Sequence, residues 1–112
     1  MRADFDAAAL PILPGVRALA RAGVVPGGSK ANLEFVAERT TFPPGMSDAD
    51  RVLLADAQTN GGMLAAVDPK AVPRLLRSLA SAGAPAVVLG EVTKRKRGQE
   101  PGIDVRGEMQ GT

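Results

Sequence analysis

The chain contains no cysteine, histidine, tryptophan or tyrosine among its 112 residues, and only three phenylalanines. The absence of cysteine and histidine excludes disulfides, thiolate nucleophiles, the usual zinc ligands and the side chain most often used for proton transfer near neutral pH. Any chemistry therefore has to use Asp, Glu, Lys, Arg, Ser or Thr. No apolar segment approaches the roughly 20 residues that span a bilayer, and no apolar signal core follows Met1. We therefore expect a cytoplasmic protein without membrane association.

The composition predicts one small domain with a core of small aliphatic side chains. Apolar residues make up 45% of the chain, mostly Ala, Val and Leu. We expect a single domain over residues 1–107 and a disordered tail over residues 108–112. The net charge is only +2, and its basic excess is concentrated in the consecutive cations Lys94, Arg95, Lys96 and Arg97. A solvated turn explains this run better than nucleic-acid binding, because no aromatic residue lies near it in sequence to stack on bases.

Pro and Gly separate helical and strand patterns along the chain, which predicts an α/β fold: a small mixed sheet with flanking helices. One helix is expected from Pro14 to Ala22, and two more are expected to be capped by Ser29 and Ser47. A fourth is predicted by the stripe Val72, Leu75, Leu76 and Leu79, with Asp68 and Pro69 at its start. Strands are predicted over residues 63–67, 85–92 and 103–105, with the first two paired in parallel through the fourth helix.

The first candidate ligand site lies between the third helix and the first predicted strand. It consists of Asp56 and the segment Gln58, Thr59, Asn60, Gly61 and Gly62. The side chains offer carboxylate, amide and hydroxyl groups, and the backbone N–H groups of the two glycines can approach a phosphate without a Cβ in the way. A plain turn is the alternative interpretation of Asn-Gly-Gly.

The second candidate is Gly27, Gly28, Ser29 and Lys30, where glycines lead into a helix N-terminus and Lys30 supplies a positive charge. Such an arrangement suits a single anion. The order Gly-Ser-Lys does not match a Walker loop, and an ordinary capped helix start remains the alternative.

Three aspartates, Asp48, Asp50 and Asp56, are close enough in sequence to raise the question of an oxygen-ligated Mg²⁺ site. Residues two apart on a helix point to different faces, so Asp48 and Asp50 are interpreted as partners of the positive helix end. Only Asp56 is kept near a site, and no metal ligand or catalytic residue is predicted in this chain.

Four motifs in order resemble the C-terminal domain of the selenophosphate synthetases (selenide, water dikinases), of the AIR synthase superfamily. They are Leu10-Pro11-Ile12-Leu13-Pro14-Gly15, Val25-Pro26-Gly27-Gly28-Ser29 with Asn32, the segment Asp56 to Leu64, and Gly90-Glu91-Val92. The chain departs from the family pattern at Ala57, Asn60 and Met63, where proline, serine and leucine are usual.

The resemblance implies a truncated AIR-synthase-like C-terminal domain. The family makes selenophosphate from selenide and Mg-ATP as a homodimer, and its catalytic Cys or selenocysteine, N-terminal lysine and metal-binding aspartates have no counterpart here. We therefore expect a fragment without kinase activity or cofactor of its own, covered by a second copy or by the missing domain on another chain. The alternatives are a small phosphate- or nucleotide-binding regulatory module and a protein associated with nucleic acid through residues 94–97.

Overall fold

The computed structural model describes all 112 residues and contains one mixed four-stranded sheet with helices beside it, as the sequence predicts. No helix is long and apolar enough to cross a bilayer. The elements in chain order are β1 (Arg2–Asp6), a 3-10 turn (Ala7–Ala9), α1 (Val16–Arg21), α2 (Gly27–Ala37), β2 (Thr40–Thr41), α3 (Asp48–Leu54), α4 (Val72–Ser81), β3 (Gly90–Thr93) and β4 (Gly102–Arg106).

The sheet is built around β1, a strand that the sequence analysis did not predict. The strand order is β2-β4-β1-β3, with β1 antiparallel to β3 and parallel to β4. In β1 polar and apolar residues alternate, so that Arg2, Asp4 and Asp6 share one face and Ala3 and Phe5 the other. This alternation was available in the sequence as a strand signal.

Charged pairs between β1 and β4 match the register of the two strands. Arg2 is paired with Gly102 and donates to both carboxylate oxygens of Asp104, two residues further along β4, at 2.8 and 2.6 Å. Arg106 donates to Asp4 and Asp6, at 2.8 and 2.9 Å. The Arg2 hydrogen bond holds the pKa of Asp104 below its ordinary value. A shift of register by one residue would move these charges to the opposite face of the strand.

The starts of the helices agree with the predictions only in part. Ser47 caps α3 as predicted, because its hydroxyl accepts from the backbone N–H of Asp50 at 3.1 Å. The prediction that Ser29 caps the second helix is wrong, since α2 already begins at Gly27 and Pro26 occupies the cap position. Asp68 accepts from the backbone N–H of Lys70 at 2.8 Å, but regular α-helix begins only at Val72.

The C-terminal residues are packed, in contrast to the predicted disordered tail. Met109 is 3% exposed and forms the buried core together with Ala7 and Val105. The carbonyl of Thr112 accepts a hydrogen bond from the backbone N–H of Ala18 at 2.6 Å. The apolar side chains that pack around this core are Leu10, Ile12, Phe42, Met46, Leu53, Leu54 and Ile103. The apolar character of Met109 was the one sequence signal for this packing.

An ion pair between α1 and α3 lies beside this core. Arg17 donates to both carboxylate oxygens of Asp50, at 2.7 and 2.8 Å, and to the carbonyl of Met109 at 2.7 Å. The hydrogen bonds from Arg17 are the main cause of a lowered pKa at Asp50, the hydroxyl of Ser47 adds to it, and desolvation by burial opposes both. The pair therefore ties α1 and α3 to the C-terminal segment.

The lowered pKa of Asp50 predicts a loss of stability in acid. The pKa of an aspartate in the unfolded chain is about 3.9. A carboxyl with a lower pKa in the folded chain stabilises the fold at any pH above this unfolded value. This contribution is lost as the pH falls through the folded pKa. We expect urea unfolding to show less difference between neutral and strongly acidic pH for Asp50→Asn than for the unmodified chain. Identical pH dependence in the two proteins would contradict the role assigned to Asp50.

Residues 57–89, here called the open segment, are the least packed part of the chain. The predicted strand over 63–67 is wrong: these residues are in no sheet, and Met63 is 96% exposed. The strand predicted over 85–92 is confirmed only from Gly90 onward, and it pairs antiparallel with β1. The predicted parallel crossover is therefore absent. The apolar pattern of residues 63–67 is typical of a strand, but no neighbouring strand is present to satisfy their backbone groups.

Helix α4 lies within the open segment and shows no extensive packing against another helix or strand. Its apolar stripe includes Leu75, Leu76 and Leu79, all partly or largely accessible to solvent. The radius of gyration is 15.1 Å, whereas a compact domain of this length is expected to have about 13 Å. Strand β3 forms an edge of the sheet, and its outer backbone groups are unpaired.

Candidate functional site at the junction of two glycine segments

The structure brings the two candidate ligand segments together. The hydroxyl of Ser29 in α2 donates a hydrogen bond to Oδ1 of Asp56, which follows α3. Gly27-Gly28 and Gly61-Gly62 are separated by more than thirty positions in the sequence, yet both belong to segments anchored at this contact. We call Gly27–Lys30 together with Asp56–Gly62 the glycine junction.

The first turn of α2 is positioned by burial of Ser29, which is 0% exposed. Gly27 and Gly28 precede it without a Cβ, and a Cβ built at either glycine would meet no atom within 4 Å. Asn32, one turn later on the same face, donates from Nδ2 to the carbonyl of Ala55 at 3.1 Å. Two polar side chains of α2 therefore hold the end of α3.

Asn32 lies next to the glycine junction and outside the predicted candidate site. The signal that could have found it is its spacing, since residues i and i+3 on a helix lie on the same face. Ser29 and Asn32 have this spacing; Ser29 bonds to Asp56 and Asn32 bonds to Ala55.

The loop after Asp56 is ordered around the second oxygen of the same carboxylate. Gln58 donates from Nε2 to Oδ2 of Asp56 at 3.2 Å, and the backbone N–H of Gly61 donates to the carbonyl of Gln58 at 3.4 Å. Asn60 has a φ of 60°, in the left-handed region that asparagine tolerates better than most residues. The segment is thus a tight turn, with Thr59 and Asn60 exposed.

The electrostatics of the glycine junction favour a carboxylate at the start of α2. The N-terminal end of a helix carries partial positive charge and unpaired N–H groups, and Asp56 is held close to it through Ser29. Both oxygens of Asp56 already accept hydrogen bonds within the chain. The groups left for a ligand are the exposed side chains of Lys30, Thr59 and Asn60 and the exposed backbone at the four glycines.

The three aspartates considered in the sequence have separate partners. Asp50 is bound by Arg17, Asp48 is 97% exposed and lies 3.8 Å from Arg51, and Asp56 is bound by Ser29 and Gln58. Asp48 and Asp50 do lie in the first turn of α3, as their interpretation as partners of the helix dipole requires.

Removal of the Ser29 hydroxyl tests the contact between the two segments. Ser29→Ala is expected to lower the free energy of unfolding by about 1.5 kcal/mol, because a hydrogen bond to a charged group is lost. The measurement is urea denaturation followed by circular dichroism. Ser78→Ala in exposed α4 is the matched control and is expected to change stability by less than about 0.5 kcal/mol. Equal effects at positions 29 and 78 would contradict a stabilising role for the contact.

The fold and the glycine junction together define a class of protein. It is an α/β domain in which a helix that begins with two glycines is hydrogen-bonded to a loop that contains a second pair of glycines.

No family model matches the chain. It is 45% identical over 106 residues to the selenide, water dikinase of Myxococcus xanthus, covering 95% of this chain and 29% of that protein. It is 46% identical over 90 residues to that of Nitratidesulfovibrio vulgaris, and 35% identical over 106 residues to that of Dechloromonas aromatica.

These similarities confirm the family resemblance read from the four motifs. The chain is a partial-domain relative of the selenide, water dikinase family. It spans less than a third of the length of the curated relatives it matches, between 26% and 29% for these three.

Proposed function

We propose that this chain is a segment of a selenophosphate-synthetase C-terminal domain that folds but does not make selenophosphate by itself. The observation that supports this most directly is the similarity over 95% of the chain to only 29% of a selenide, water dikinase. Phosphoryl transfer depends on residues that position the nucleotide, the metal and the acceptor. The chain has no cysteine to serve as the family's nucleophile.

The open segment supports the second part of the proposal, that this chain works beside another polypeptide. Met63 and Leu64 are 96% and 67% exposed, and α4 shows no extensive packing. Exposed apolar side chains of this kind mark surfaces that are covered in an assembly. The proposed cover is the remainder of the family's chain or a second copy of this one, in the cytoplasm, with Mg-ATP bound by the completed enzyme.

Selenide-dependent selenophosphate formation, followed by phosphorus NMR, tests this function. The chain alone is expected to give no product with Mg-ATP and selenide. Activity is expected to appear when it is mixed with a Myxococcus xanthus enzyme from which the matching segment has been deleted. Turnover by the chain alone would refute the proposal, and so would a mixture that binds as a complex yet stays inactive while the undivided relative is active.

The ligand residues form a separate part of the proposal. We propose that Gly27–Lys30 and Asp56–Gly62 face a nucleotide phosphate, since both glycine pairs are exposed and Ser29 and Gln58, which lie beside them, both bind the carboxylate of Asp56. An amide-resolved NMR titration with a non-hydrolysable Mg-ATP analogue tests it at Gly27, Gly28, Gly61 and Gly62. Saturable shifts of these amides show that the site binds phosphate. If the mixtures with the deleted enzyme also stay inactive, such shifts favour a phosphate-binding module over a segment of the enzyme. No shifts at millimolar analogue would reject the site in this chain.

A further inference from the structure

The loop between β3 and β4 carries the strongest local charge of the molecule. It contains four consecutive cations, Lys94, Arg95, Lys96 and Arg97, all of them exposed. None of the four forms an ion pair with an Asp or Glu, whereas Arg2, Arg17, Arg51 and Arg106 all do. Adjacent like charges without counter-charges raise the local positive potential and attract anions.

The loop is held in one shape by neutral groups. The backbone N–H of Lys96 donates to Oε1 of Gln99 at 3.2 Å, and the N–H of Gln99 donates to the carbonyl of Lys96 at 3.1 Å. Arg95 donates from Nη1 to the carbonyl of Gln99 at 3.0 Å. Gly98 has a φ of 81°, which the tight turn requires and which glycine adopts without strain. These bonds order the turn without neutralising its cations.

A recess of about 650 Å³ lies against the same residues and is lined by Met1 and residues 94–100. Glu100 is the single carboxylate among the lining residues, and Arg2 fixes its backbone by donating to the Glu100 carbonyl at 2.9 Å. The recess contains no aromatic side chain.

We propose that this basic loop and its recess bind a compact polyphosphate anion, a chain of at least three phosphates. Ammonium and guanidinium groups bind phosphate oxygens through charge-assisted hydrogen bonds, and arginine does so bidentately. A chain of phosphates presents several charges over the short span that four successive residues cover. Single-stranded nucleic acid is disfavoured because its bases would find no aromatic surface for stacking. The site is separate from the glycine junction and independent of the proposed function.

Isothermal titration of the full 112-residue chain with inorganic triphosphate tests the site. Lys94→Gln/Lys96→Gln is expected to weaken binding by about tenfold or more. The control Arg74→Gln/Arg77→Gln removes the same charge from exposed positions on α4 and is expected to leave binding unchanged. Circular dichroism verifies that both variants fold, and NMR is expected to place the shifted amides within residues 94–98. Equal weakening by the two double variants would show an effect of net charge alone and overturn the proposal.

The affinities of ATP, inorganic triphosphate and AMP show which part of the ligand is recognised. ATP and inorganic triphosphate binding within about threefold of each other, with AMP much weaker, would show that the phosphate chain is recognised. AMP binding as tightly as ATP would overturn the proposal, as would a single-stranded oligonucleotide that binds while triphosphate does not. Shifts confined to Gly27, Gly28, Gly61 and Gly62 would assign binding to the glycine junction and also overturn it.

Discussion

Replacement of Arg17 with methionine is expected to lower the free energy of unfolding by about 3 kcal/mol. The change keeps an unbranched side chain but removes both hydrogen bonds to Asp50, whose side chain is only 7% exposed. It also removes the donor to the carbonyl of Met109, which belongs to the core. A carboxylate left without its partner away from water accounts for most of the loss. The measurement is urea unfolding at neutral pH.

A double variant separates the ion pair from general damage to α1. Arg17→Met/Asp50→Leu removes both charges, and it is expected to be more stable than Arg17→Met because no unpaired carboxylate remains. Asp48→Ala serves as a control on α3, the helix that carries Asp50. Asp48 is 97% exposed and lies 3.8 Å from Arg51. Its effect is expected to stay below about 1 kcal/mol. A double variant less stable than either single variant would contradict this account.

Gly90→Ala is expected to detach β3 from the sheet and destabilise the chain by about 3 kcal/mol. A Cβ at Gly90 would overlap the backbone carbonyl of Asp4 in β1, and backbone cannot move aside as a flexible side chain can. Gly90 is also paired with Phe5 and begins the only run of contacts between β1 and β3. Hydrogen exchange is expected to show lost protection over residues 90–93 and at the amides of β1 that pair with β3.

Gly28→Ala is the matched control for Gly90→Ala. A Cβ at Gly28 would meet no atom within 4 Å, and the residue lies in the first turn of a helix. Alanine in place of glycine in a helix is expected to be neutral or to stabilise by up to about 1 kcal/mol. If Gly90→Ala left unfolding and exchange unchanged, the close approach of β3 to β1 would be wrong.

Features that depend on neighbouring residues are predictable from the sequence, and features that depend on distant residues are not. Ser47 was correctly identified as a helix cap because capping involves residues only three apart. Ser29 was misassigned by the same local rule, since its hydroxyl bonds to Asp56, which lies 27 positions away. The candidate ligand segments were found as separate motifs, and their convergence was not predicted because it depends on how α2 packs on α3.

Strands were predicted less well than helices, because a strand requires a partner. Residues 63–67 have an apolar strand pattern but pair with no strand, whereas the charged alternation of Arg2–Asp6 forms the centre of the sheet. The deciding interactions for β1 are its backbone pairing with two strands and its charge pairs with Asp104 and Arg106. These partners lie about a hundred positions away in the chain, beyond any local pattern.

The sequence by itself determined the α/β class, the family, the cap of α3, the two glycine segments and the basic run, because each depends on residue types at short spacing. The tertiary structure alone decided the strand order, the burial of Met109, the ion pair of Arg17 with Asp50 and the contact between Ser29 and Asp56. Each of these joins residues far apart in the chain. Their pairing is fixed by packing and by the need to satisfy buried polar groups, which no short stretch of sequence contains.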